Sequence, residues 1–177
     1  LAFVKDELST LIEKLIMQIA PSDRSIAENI IRNEYFNYVP LRHGKKLLEP
    51  IWLLSQFITD HKVISFSYNR QDGKESFKPV KPVSIMFSEF YFYLIAFSIE
   101  SDTDHPIIFR IDRIKNLKPT GEKFFVPYKD RFDEGEFRKR IQFMYSGELK
   151  TVTFEYSGVL EAILDRLPTA KVLSESD

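Results

Sequence analysis

The sequence predicts an α+β chain, with helices over roughly its first 60 residues, a small antiparallel β-barrel after them, and a strand and helix at the end. Three patterns carry that expectation. Apolar residues recur at three- and four-residue steps up to about residue 60; beyond His61 they alternate residue by residue; and turn-forming pairs separate the alternating runs. The expected division is 1–60 for the helices, 61–124 for the barrel and 125–177 for a connecting helix and a partial αβ unit.

Over residues 5–20, Leu8, Leu11, Ile12, Leu15, Ile16 and Ile19 fall on one helical face, and Pro21 closes the segment. Ser25 with Glu28 reads as a capping box opening a second helix that carries Ile26, Ile30 and Ile31. The aromatic YFNYVPL breaks this pattern. A third helix is expected near Pro50, which a first turn tolerates, with Ile51, Trp52, Leu54, Phe57 and Ile58.

HKVISFSY then alternates Ile64, Phe66 and Tyr68 with Ser65 and Ser67, as a half-buried strand does. Asp72-Gly73 is a hairpin turn signal. In ESFKPVKPVSIMF, Pro79 and Pro82 forbid a regular central ladder and predict a bent or edge strand. A turn at Ser88-Glu89 leads into FYFYLIAFSI. PIIFRI and KNLKPTGE follow as further strands, and short strands at this spacing suggest a closed or nearly closed barrel. Residues 132–146 are charged and helix-compatible, TVTFEY reads as one more strand, and VLEAILDRL as an amphipathic helix. One strand and one helix cannot bury their faces alone, so this last unit is expected to dock on something.

FYFYLIAF, residues 90–97, is apolar on both faces: Phe90, Phe92, Leu94 and Ala96 on one, Tyr91, Tyr93, Ile95 and Phe97 on the other. A strand exposed on one side would alternate apolar and polar. Its second face must therefore be covered as well, by a helix, the C-terminal unit or a partner.

Composition excludes several functions. A net charge of −1 gives no whole-chain attraction to nucleic acid, so an anion site has to come from local clustering. The absence of cysteine removes disulfides, thiolate metal sites and cysteine nucleophiles, and fits a cytoplasmic chain. Apolar runs of about eight residues fall well short of the ~20 that span a bilayer, so no membrane role is expected. The chain opens on Leu1 and acquires charge at once, which suggests preceding residues and no signal peptide.

No catalytic or metal pattern stands out, and neither cofactor nor enzymatic activity is expected. His43, His61 and His105 lack ligand spacing and read as solvated or capping histidines. The acidic SDTD at 101–104 lacks the glycine and closing glutamate of a calcium loop. Basic residues interleaved with aromatics carry more: Tyr68 and Arg70, Lys78 and Lys81, Arg110 and Arg113, Lys115 and Lys118. Strand alternation sends Arg110 away from the core that takes Phe109 and Ile111. Two readings stay open for it, a salt bridge to Asp112 or an anion site in which guanidinium forks meet phosphate and tyrosine faces meet bases.

The order of these residues resembles the WYL domain of bacterial transcriptional regulators. Tyr68 ends a strand, Lys78 precedes Pro82 by four, Phe92-Tyr93-Leu94 stands for the Trp-Tyr-Leu triplet, and Phe109-Arg110-Ile111-Asp112-Arg113-Ile114 for the family's closing segment. The resemblance implies an Sm-like, SH3-type barrel in which DRI turns between the last two strands. It implies linker helices before the barrel, a C-terminal extension of the WCX type after it, and a DNA-binding winged helix-turn-helix outside this chain. It further implies a ligand-sensing role, with nucleotide or nucleic acid bound by Lys78, Arg110 and Arg113 and shaped or stacked by Tyr68 and Tyr93, and a homodimer. The departures are Phe92 for the triplet's Trp, which loses the indole N–H; Ile107 where a basic residue often stands; and Lys78 for Arg, which loses the bidentate fork. A pure interaction or dimerisation module is the alternative from another class, and a hydrolase with a carboxylate pair a more distant one.

Overall fold

The computed structural model describes residues 3–69, 75–77, 79–100, 103, 105–141, 144–145 and 147–174. The Asp72-Gly73 turn, Arg70, Lys78 and all of the acidic tip but Thr103 lie outside them. Helices α1 (Lys5–Met17), α2 (Arg24–Phe36) and α3 (Leu48–Thr59) precede strands β1 (Lys62–Asn69), β2 (Glu75–Phe77), β3 (Val80–Ser88), β4 (Tyr91–Ser98), β5 (Ile107–Arg110) and β6 (Ile114–Lys123). Short helices α4 (Glu134–Arg140) and α5 (Leu160–Arg166) follow. The architecture is α+β, as the sequence predicts.

The helices start and stop for local reasons. Arg24 closes α1 by donating from Nε to the Ile19 carbonyl and from Nη2 to that of Met17, both at 3.0 Å, meeting carbonyls that have no intrahelical partner. The capping box at Ser25 does not form. The second helix opens two residues earlier, after Asp23, with no side-chain cap, and Ser25 lies inside its first turn. Pro50 sits in the first turn of α3, where its missing N–H costs nothing. That helix is instead capped from a distance: the Glu7 carboxylate of α1 accepts from Leu47 and Leu48 N–H, each at 3.0 Å. Much of the apolar stripe of α1 and α2 stays open, with Leu15, Ile26 and Ile30 exposed.

All ladders are antiparallel. β1 pairs with β2 and, through Ile64 and Val80, with β3; its other edge pairs with β6; β3 pairs with β4 and β4 with β5. The ESFKPVKPVSIMF stretch is thus two strands broken at Pro79, and Pro82 sits beside a register shift in the β3–β4 ladder, the irregularity that proline demands. The hairpin joining β3 to β4 turns on Glu89, at φ +55°, and Phe90, one residue later than expected.

Among the described residues no ladder joins β5 to β6, so the ring is not closed by backbone hydrogen bonds. Side chains bridge it instead. Phe109 of β5 packs at 5.0 Å from both Phe66 and Tyr68 of β1, and the Tyr68 hydroxyl accepts from Arg110 N–H at 3.1 Å. The sheet therefore curls until its far strands meet. Inside the curl lie Ile64, Phe66, Val80, Leu94, Ala96, Phe109 and Ile111, covered by Leu54 and Phe57 of α3.

The half-buried reading of β1 is corrected: Val63 and Ser67 are buried along with Ile64 and Phe66. The outer face of the sheet is covered in part, which accounts for the doubly apolar β4. Phe132, just before α4, lies edge-on to Phe97 and against Phe137, and Ser84 of β3 donates to Glu134 at 2.6 Å. Asp133 caps α4 by accepting from Glu136 N–H at 2.9 Å.

The expected strand TVTFEY is not one. Residues 151–156 pair with nothing in a ladder and are exposed, and α5 runs only Leu160–Arg166 with no buried residue. A lone segment gains no hydrogen bonds by being extended, so β propensity without a sheet edge makes no strand.

Candidate basic-aromatic site

Strand β5 and the 3-10 turn Ile111–Arg113 that ends it place the basic residues. Phe109 is buried and Arg110 points the opposite way, as alternation requires. The turn then brings Asp112 back beneath Arg110. Nε and Nη2 of Arg110 donate to the two Asp112 carboxylate oxygens at 3.0 and 2.8 Å, a bidentate fork with Asp112 almost wholly buried. The salt-bridge reading of Arg110 therefore holds. Its guanidinium carbon also lies 3.5 Å from the centre of the Tyr91 ring. Burial works to lower the Arg110 pKa, but the Asp112 bonds and charge outweigh it and hold the guanidinium above its ordinary value. The fork uses two of the five N–H donors and leaves the Nη1 edge.

Tyr93 pairs across the ladder with Arg110. Burial raises its hydroxyl above the usual phenol value, while the charges of Arg110 and Arg113 pull against that rise. Arg113 is thus close enough for its charge to act on Tyr93. It is partly buried, and among the described residues no carboxylate pairs with it. Tyr68 spends its hydroxyl on the Arg110 amide and its ring on Phe66 and Phe109. The structure brings together Tyr68, Tyr93, Arg110 and Arg113; Lys78 lies outside the described residues. A hollow of about 120 Å³ adjoins them, lined by Ser88, Glu89, Phe90, Tyr91, Tyr93 and Met144. Among the described residues no cluster of His, Asp or Glu could hold a metal, and no helix is long and apolar enough to cross a membrane.

Two contributors escaped the sequence reading. Tyr91 shares the face of Tyr93 two residues on, a signal that was present; only the stacking on Arg110 shows its use. His43 was expected to be solvated or capping. Its Nδ1 does accept from Lys45 N–H at 3.0 Å, but its Nε2 is buried without a partner and its ring lies beside Tyr91.

No curated protein matches this chain. Among solved structures it is similar to proteasome accessory factor B/C (PafBC) of Arthrobacter aurescens, at 20% identity and a TM-score of 0.39, over 42% of this chain and 12% of that one. The chain thus corresponds to a small part of that protein's length. Residues 51–119, from the first turns of α3 into β6, match the WYL domain family. Curled sheet, DRI turn and family match fall on the same stretch: residues 51–119 match a WYL domain.

Proposed function

We propose that this chain is the ligand-sensing region of a DNA-binding transcriptional regulator, and that its WYL domain binds an anion, a nucleotide or single-stranded nucleic acid, beside the DRI turn. The WYL domain supports a regulatory role, and no catalysis is implied. The division at residues 60 and 124 belongs to this proposal, as do the homodimer and operator binding through a helix-turn-helix elsewhere in the protein.

One observation carries the ligand reading: Arg113, on the turn that follows Arg110, lies within charge range of Tyr93, with no described carboxylate to neutralise it. Arg110 then acts through its remaining edge and by holding Tyr91, while Arg113 supplies the free charge; Lys78 is the third cation the family resemblance assigns. Sensing requires that the ligand favour one arrangement of the helices over another, since equal affinity shifts nothing.

A salt titration with a labelled, 5′-phosphorylated single-stranded oligonucleotide tests it. Three phosphate contacts give a log–log slope near −2, at about −0.7 per contact, and Arg113→Glu should flatten it by about that amount and weaken binding. Salt-independent or absent binding sinks the proposal. A second reading, an interaction module, is favoured by the open apolar stripe of α1 and α2; tight concentration-dependent dimerisation without oligonucleotide binding would select it.

A further inference from the structure

Residues 37–47 connect α2 to α3, and the His43 side chain of that connector lies beside the cation site. The His43 ring centre is 6.4 Å from that of Tyr91, with the planes tilted by 42°. Tyr91 stacks on Arg110, and Arg110 is forked to Asp112. The connector, β4, β5 and the 3-10 turn are thus joined through one run of side chains, His43–Tyr91–Arg110–Asp112.

His43 occupies that place with one bond unmade. Because Nδ1 accepts from the Lys45 amide, the ring proton is on Nε2, and that buried N–H has no acceptor. Such a donor forfeits the bond it made to water, so any arrangement that supplies an acceptor competes with this one. Other ties hold the helical region: Leu41 and Leu47 of the connector pack in the core, Phe3 lies against Phe92 at 5.6 Å, and the Glu7 carboxylate accepts from the start of α3. None of them includes a member of the stack. They hold the helices near the sheet without reporting where Arg110 stands.

We propose that His43 is a latch: the Tyr91–Arg110 stack holds it, and disturbing the stack loosens the stretch of connector between its core anchors Leu41 and Leu47. His43 is a positioning residue and touches no ligand. An anion that draws the guanidinium off Tyr91 would be the natural trigger, and to that extent the inference rests on the anion-site reading. The latch itself can be tested with no ligand at all.

Amide hydrogen exchange on the whole chain reads it, at Gly44, whose N–H bonds the Leu41 carbonyl independently of the His43 side chain. Asp112→Asn weakens the fork while keeping its shape, and should speed Gly44 exchange by at least about fivefold, the low end of ordinary coupling between sites. His43→Asn keeps an acceptor near Nδ1 but loses the ring; Gly44 should exchange faster, and adding Asp112→Asn should change nothing more. His43→Phe keeps the ring and should restore the response to Asp112→Asn. Tyr91→Leu breaks the stack from its other side and carries the test if Asp112→Asn fails to fold. Gly44 exchange unchanged within about twofold in every folded stack variant, or an undiminished response in His43→Asn, overturns the latch. Failure of oligonucleotide binding, with these responses intact, would instead sink the anion-site reading alone.

Discussion

Arg110 and Arg113 are three residues apart and have different surroundings. The first is forked to Asp112 and stacked on Tyr91; the second has no described carboxylate. Substitutions should separate them. Arg110→Glu sets a second carboxylate against the buried Asp112 and is expected to cost roughly 3 kcal/mol, the scale of breaking a buried pair. Arg113→Glu should leave the denaturation midpoint nearly unchanged and act on ligand binding, so it is the cleaner probe of the site. Phe109→Ala removes the ring that bridges β1 and β5 and should cost about 3–5 kcal/mol in urea denaturation. A loss below about 1 kcal/mol would mean that the side-chain bridge contributes little to holding the curl. The Phe109-in, Arg110-out arrangement was legible from strand alternation. The fork was legible only as one of two possibilities, because it depends on a turn carrying Asp112 back over a strand that has already ended.

Among elements, the tie between α1 and α3 has no sequence signature: Glu7 caps residues 40 and 41 positions away. A local capping box can be read from spacing, but a carboxylate borrowed from another helix cannot. Glu7→Ala should cost about 1–2 kcal/mol, as other lost caps do, and should raise amide exchange at Leu47 and Leu48 before it affects the sheet. Unchanged protection there would show that these amides find other acceptors. The opposite error occurred at residues 25 and 151–156. The Ser25–Glu28 spacing was present but the helix began earlier, and TVTFEY had strand composition but no edge to join. Propensity proposes such elements, and pairing or packing decides whether they form.

Across the molecule, burial is concentrated in the curled sheet and the α3 side chains that cover its core. Residues 147–174 carry Val152, Phe154, Val159 and Leu173 exposed. A chain ending at residue 145 should therefore keep its unfolding free energy within about 0.5 kcal/mol of the longer one, measured by denaturant titration. A larger loss would place the C-terminal segment against the sheet in solution. The exposed stripe of α1 and α2 makes the same point at the other end: helical periodicity was read correctly there, yet much of the stripe is uncovered.

By itself the sequence determined the α+β class, the order of helices and sheet strands, the break at the prolines, and the side to which Arg110 points. These depend on residue period, on turn chemistry and on proline's missing N–H, all local properties. Only the tertiary structure decided that Arg110 is shared between Asp112 and Tyr91, that Glu7 caps α3, that Phe132 and α4 cover part of the sheet's outer face, and that His43 lies beside Tyr91 with a buried N–H unpaired. Each of those depends on where a distant segment arrives, and neither side-chain period nor propensity encodes that arrival.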